Sequence, residues 1–273
     1  MDIARKIHYL TLFMALSFVC QVNAQASEID RHNVYGHKDG MAMYYDVEVP
    51  SSPNGLGVVF IVSGGFLSGA DNLNIARPFW EVLLEHGYTL FQIYHPGMPT
   101  YRIPDAVEAL STGIQHIKDN SESFGVDSER LGVLGISSGG HLALQLSMGI
   151  EPGKRRDNDF KAVIAIMPIT DLGNIPPEAE LFGARLLDFD PELIPVLSPV
   201  NHVTPDDPPI LIVHGTKDQA VNFEANSVKL DALLKEAGVE SKLLALDARH
   251  EVFPEQLMRE THAAMLDWLQ KHL

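Results

Sequence analysis

Cysteine is almost missing from this sequence: Cys20 is the only one, and it lies in the N-terminal apolar stretch. Once that stretch is removed the chain holds no thiol, which excludes disulfides, cysteine metal sites and a cysteine nucleophile. A basic surplus is missing too. Twenty Lys and Arg stand against 36 Asp and Glu, the net charge is −16, and no basic cluster interrupts the acidity. That balance argues against nucleic acid, or an anionic membrane surface, as a partner. Long apolar runs are also absent, because residues 10–20 fall short of the ~20 needed to cross a bilayer. No internal repeat or low-complexity tract occurs.

What is present suits one α/β domain with a sizeable core: 273 residues, 45% of them hydrophobic. The first residues read as an export signal. Arg5 and Lys6 form a short basic region, residues 10–20 an apolar one, and Val22-Asn23-Ala24 a small-residue cleavage site. Cleavage after Ala24 removes Asp2, Arg5 and Lys6 and takes the charge from −16 to −17. An uncleaved anchor is the bland alternative. A lipidated Cys20 is disfavoured by the bulk of Val19. The mature chain is then residues 25–273.

Along that chain, β-branched or alternating runs predict strands at 43–49 (an edge), 57–62, 88–94, 131–136, 162–167, 209–214 and 241–246. Helical spacing predicts helices at 75–85, 103–118, 138–148, 222–237 and 254–273. Residues 25–40 read as a polar surface lead-in, and 168–207, rich in Pro, Gly and Asp, as a small insertion near the sheet's carboxyl edge. Strands alternating with helices predict an open, mostly parallel sheet covered on both faces. In such sheets ligand chemistry collects at the carboxyl ends of the strands.

The chain is organised around Gly135-Ile136-Ser137-Ser138-Gly139-Gly140, where an apolar strand runs into Gly-x-Ser-x-Gly and a helix follows at once. That context is what a nucleophile elbow requires: the glycines let strand and helix close around one exposed hydroxyl. Serine is a weak nucleophile and needs a base, usually a histidine oriented by a carboxylate, in the chain order Ser, Asp or Glu, His. Asp218, in the loop past the 209–214 strand, is the candidate acid, and His250, between the last strand and last helix, the candidate base. Asp247 is the reserve acid but stands too near His250 in sequence. His214 and His141 read as packing residues. His250-Glu251-Val252-Phe253-Pro254 lacks the second histidine of a zincin, so no metal is expected. The oxyanion of a tetrahedral intermediate needs preorganised donors. The Ser138 amide, just after the nucleophile, is one candidate. Gly64 and Gly65, in the turn after the 57–62 strand, are the others.

These stretches, with Phe66, Gly69, Ser198-Pro199-Val200 and His214-Gly215-Thr216-Lys217-Asp218, resemble the α/β-hydrolase superfamily over residues 40–273. Within it they look like small exported esterases related to hormone-sensitive lipase and to the acetyl-xylan and feruloyl esterase group. One departure is plain: the family's His-Gly-Gly-Gly turn becomes Val62-Ser63-Gly64-Gly65. The resemblance implies the α/β-hydrolase fold and a serine carboxylesterase that uses no cofactor and takes a small-molecule or polysaccharide-linked ester. It implies a pocket walled by Phe66, the region after His95 and the insertion, with Leu172, Leu181 and Phe182 as apolar lining. Two rivals stand beside it. A prolyl-oligopeptidase-type peptidase shares the catalytic domain, but usually behind a large gating domain. A non-catalytic binding protein on the same fold would normally have lost one of the three catalytic residues.

Overall fold

The computed structural model describes residues 27–151, 154–155, 160–176, 180–181, 184–250 and 253–273. The predicted export signal lies outside them. Eight strands form one sheet: β1 (Glu28–Lys38), β2 (Met41–Val49), β3 (Gly57–Ile61), β4 (Thr89–Ile93), β5 (Leu131–Ile136), β6 (Ala162–Ile166), β7 (Ile210–Gly215) and β8 (Ser241–Leu246). Their spatial order is β1-β2-β4-β3-β5-β6-β7-β8. β2 is antiparallel to both its neighbours, and every pair from β4 to β8 is parallel. The expectation of a mostly parallel sheet holds.

The polar lead-in does not. Residues 28–38 form the outermost strand, which makes Met41–Val49 the second one in. β1 hides from a periodicity reading because it is an edge. Nearly all its side chains are exposed or half-exposed, and two register shifts interrupt its pairing. Apolar alternation disappears when a strand buries a single side chain, here Tyr35. The shifts and charges also blunt an edge that would otherwise template further pairing.

The inner strands behave oppositely. Every residue of β3, β4 and β6 is buried, as expected for parallel strands covered on both sides. Alternation along β3 sends Val59 and Ile61 to one core and Val58 and Phe60 to the other. The first core includes Leu110 and Ile114 of α2 (Ile103–Asn120) and Leu142 of α3 (Ser138–Ser147). The second core includes Trp80 of α1 (Ala70–Glu85). α1 starts five residues before its predicted start, because the exposed polar residues Asp71 and Asn74 there mask the period. In the 168–207 stretch the described residues form two 3-10 turns, a short antiparallel ladder (Glu180–Leu181 with Ala184–Arg185) and the short helix α4 (Leu193–Leu197). A π-helical turn (Glu224–Val228) precedes α5 (Lys229–Glu236), and α6 (Glu255–His272) closes the described chain. Met265 and Leu269 of α6 complete the second core.

Leu172 is a correction to the expected pocket lining. It is fully buried in the first core, and its N–H donates to Ser198 Oγ at 3.0 Å. Phe182 and the side chain of Leu181 lie outside the described residues.

Two buried histidines flank the carboxyl end of the sheet. His95 donates Nδ1–H to the Pro96 carbonyl and His141 to the Ile169 carbonyl, both at 2.9 Å. Burial pushes each ring's pKa down to about 4, the single backbone bond offsetting only part of it. A folded pKa below the unfolded one means that the unfolded chain binds the extra protons. Stability is therefore complete above about pH 6.5 and is lost as pH falls toward 4. From pH 7 to pH 5 each ring should cost on the order of 2 kcal/mol. Urea unfolding at the two pH values checks this; equal midpoints would overturn it.

Candidate active site

Four loops at the carboxyl ends of β3, β5, β7 and β8 build the site. At the end of β5, Ser137 is held at φ 55° and ψ −117°, in a region that a non-glycine residue occupies at a cost of roughly 1–3 kcal/mol. The surrounding glycines explain how. A Cβ on Gly135 would land inside the Gly139 carbonyl, and one on Gly139 would sit 2.9 Å from the Ile61 carbonyl oxygen. Strand, elbow and helix can approach this closely only without side chains. The Ser137 N–H bonds the Ile166 carbonyl at 2.8 Å and its carbonyl accepts from the His141 N–H at 3.0 Å, so both sides of the strained residue are pinned.

The structure brings Ser137, Asp218 and His250 together. Ser137 Oγ lies 3.1 Å from His250 Nε2, and His250 Nδ1 lies 2.6 Å from Asp218 Oδ2. The Asp218 carboxylate is wholly shielded, whereas the imidazole keeps about a fifth of its side-chain surface open. The Asp218 Oδ1 atom accepts the Ala220 and Val221 N–H groups at 2.9 and 2.8 Å. Its Oδ2 faces a second ring as well, His214 Nε2 at 3.1 Å. Burial by itself would raise the Asp218 carboxyl pKa. Donors from His214, His250 and Val221, in that order, outweigh it and hold the group far below the usual carboxylate range. The acid therefore stays charged. The reserve acid points elsewhere: Asp247 is exposed and pairs with Lys217 at 2.6 Å.

The acid and base loops are seamed together. Thr216 and Lys217 donate backbone N–H bonds to Leu246 and Ala248 carbonyls at 2.8 and 3.0 Å, and Gly215 is packed so tightly that a Cβ would overlap the Ala248 carbonyl.

The oxyanion turn differs from expectation in two places. The Gly64 N–H is already bonded to the Leu67 carbonyl at 2.9 Å, in a small reciprocal bridge, so it is not free to donate. Asn72 Nδ2 braces the same carbonyl at 2.7 Å. Of the three predicted amides, Gly65 and Ser138 remain, and neither makes a hydrogen bond among the described residues. Ser138 opens α3, where the first N–H groups have no partner inside the helix and the helix dipole is positive. Phe66 is the second correction. It is only 2% exposed and its ring meets His141 edge-on at 5.5 Å, so it packs beneath the turn and does not wall a pocket.

Sequence reasoning missed the hydroxyl of Ser138. Its Oγ accepts the Phe66 N–H at 3.0 Å and lies 3.0 Å from Ser63 Oγ. One buried hydroxyl thus ties the oxyanion turn to the nucleophile helix. The departure at Ser63 was the available signal: the residue standing where the family pattern has its first glycine supplies the partner. The whole arrangement can deprotonate a hydroxyl as it attacks an electrophilic carbonyl, and it leaves the Gly65 and Ser138 amides without a hydrogen bond among the described residues.

The family described as BD-FAE matches residues 45–234 of this chain. The chain is 26% identical over 220 residues to the esterase LipC of Mycobacterium tuberculosis, covering 71% of this chain and 54% of that protein. It is 23% identical over 241 residues to an acetylxylan esterase of Xylanibacter ruminicola, covering 85% of this chain and 48% of that protein. The chain spans about half the length of these relatives. Among solved structures, a truncated carbohydrate esterase from gut microbiota superposes with a TM-score of 0.73 at 18% identity, over 91% of this chain and 98% of that one. Esterase 2 of Thermogutta terrifontis with butyrate bound gives 0.72 at 21% identity, over 91% and 95%. The chain has the α/β-hydrolase fold.

Replacing Ser138 by alanine strands the buried Phe66 N–H and unties the turn from the helix. A fluorophosphonate probe should label Ser137 in the native chain, and Ser138→Ala should slow that labelling roughly 10-fold or more, as expected when an oxyanion donor is misplaced. Peptide mapping of the adduct with its time course checks both. An unchanged rate would mean that the hydroxyl merely fills space.

Proposed function

The chain belongs to the BD-FAE family, and from that premise we propose that it is a serine carboxylic-ester hydrolase working through an acyl-enzyme. The observation that carries the reading is the unbroken line from Ser137 Oγ through the His250 ring to a buried carboxylate, at 3.1 and 2.6 Å. Ser137 Oγ attacks the ester carbonyl carbon while His250 Nε2 takes its proton. The carbonyl oxygen, now negative, is received by the Gly65 and Ser138 amides. His250 returns the proton to the departing alcohol. Water then repeats the sequence on the acyl-enzyme and frees the acid, with Ser137 restored. Asp218 stays ionised throughout and holds the imidazole's orientation. No step calls for a cofactor.

For the substrate we propose small to medium acyl esters carried on carbohydrate. The names of two similar proteins, an acetylxylan esterase and a carbohydrate esterase, support that class. Similar proteins with esterase names also favour ester over peptide hydrolysis. We propose that residues 1–24 direct export and that residues 25–273 form one catalytic domain with 168–207 as a small cap. The basic, apolar and small-residue succession at residues 5–24 supports export.

Purified chain should hydrolyse p-nitrophenyl acetate and release acetate from acetylated xylan. Ser137→Ala and His250→Gln should each lose about 10⁴-fold or more in kcat. Full activity in either variant would refute the mechanism, and release of acetate from the p-nitrophenyl ester alone would refute the carbohydrate assignment. Export is tested separately, by the N-terminus of protein recovered outside the cytoplasm. Gln25 is the expected first residue, and an intact Met1 would overturn the signal.

A further inference from the structure

The His214 ring is completely buried, lies one loop away from the nucleophile and takes no part in the proton transfers above. Its surroundings settle where its proton sits. Nε2 is 3.1 Å from Asp218 Oδ2 and 3.1 Å from the Val221 carbonyl oxygen. Both are acceptors, so a lone pair on Nε2 would face two others, and Nε2 must carry the hydrogen. That leaves Nδ1 as the acceptor of the neutral ring. The hydroxyl of Ser227, also fully buried, stands 2.6 Å away to donate to it. The Phe223 ring closes the flank edge-on at 5.5 Å. The tautomer is thus selected from both sides.

We infer that His214 is a positioning residue for the catalytic acid: a second imidazole, locked by Ser227, that fixes the Asp218 carboxylate and limits how strongly it holds His250. Four donors then fill the carboxylate, two backbone N–H groups on Oδ1 and two imidazole N–H groups on Oδ2. Rotation about the Cβ–carboxylate bond would break all of them. Because both imidazoles use the same oxygen, charge drawn toward His214 is charge withheld from the imidazolium that forms on His250 during the reaction. Removing the His214 donor should therefore make Asp218 the stronger partner of His250 and make the base easier to protonate. Among the described residues, His214 and His250 are the titratable side chains bonded to this carboxylate. Lys217 and Glu224, and Asp247 and Arg249 of the neighbouring loop, are exposed to solvent.

The kinetic half of this inference rests on the esterase reading, and the spectroscopic half does not. In proton NMR of the full chain, two slowly exchanging downfield imidazole N–H resonances are expected. His250→Gln should remove one and His214→Phe the other. In the pH profile of kcat/KM for p-nitrophenyl acetate, the acid limb reports the free enzyme's base. His214→Phe should move that limb upward by about half a unit or more. His214→Gln, whose amide N–H reaches the same oxygen, should bring it back, and Ser227→Ala should shift it part of the way. An acid limb that stays in place in His214→Phe and Ser227→Ala would overturn the inference, since a ring that only fills space lowers stability without moving the profile. So would a wild-type spectrum with only one downfield resonance, left in place by His214→Phe. If the wild type leaves p-nitrophenyl acetate untouched, the ester reading fails, and the two resonances still decide the role of His214.

Discussion

Everything at the reactive centre depends on an exclusion of side chains where β5 meets α3. The backbone at Ser137 is strained, and strain of this kind persists only when neighbours over-determine it. Here the neighbours are main chain: the Gly139 carbonyl against Gly135, the Ile61 carbonyl against Gly139, and the Ile166 carbonyl on the Ser137 N–H. Two adjacent strands and one helix converge on a few ångströms with no carbon side chain between them. The hydroxyl is left as the single group projecting from that contact. The wholly buried strands β3 and β6 on either side give the elbow a rigid seat.

Rigidity then passes from loop to loop through polar contacts. The Ser138 hydroxyl joins the elbow to the oxyanion turn, the Asp218 carboxylate joins the acid loop to the base, and backbone bonds at Thr216 and Lys217 seam the acid loop to the strand end that carries His250. Each link is buried or half-buried, where an unmade hydrogen bond costs about 1–3 kcal/mol. The donors and acceptors are accordingly matched nearly one for one. His141 is an exception of the opposite kind. Its Nε2 has no partner among the described residues, and the ring is kept neutral by burial.

Much of this was legible in the sequence, for physical reasons that also explain what was not. Ser137 and Asp218 stand out because each follows a run of apolar residues that can only be a buried strand, and His250 because it follows the last strand, Ser241–Leu246, ahead of the closing helix. A strand of that kind must end at a loop, and the loop type is written in glycines. The alternation of buried strands with helices fixed the sheet's parallel character in the same way. β1 stayed hidden because an edge that buries only Tyr35 imposes no alternation. Gly64 misled because a glycine-rich turn declares flexibility without declaring which amide is used up internally. Phe66 looked like a pocket wall, since aromatic residues beside catalytic turns often are. Its positive φ of 61°, which no sequence pattern announces, instead folds it under the turn. His214 read as packing because its partners, Asp218, Val221 and Ser227, lie four to thirteen residues away on a loop and a π-turn that have no sequence period.

The tight passage of Gly215 against the Ala248 carbonyl has a consequence for how such chains can diversify. Two segments that touch through bare backbone have no side chains with which to absorb a mismatch. A chimera taking one of them from a distant cousin would inherit half of a fitted joint. Lineages that reshape this corner should therefore exchange both segments in one step, while the surface turn that opens β2, free of such a joint, can drift alone.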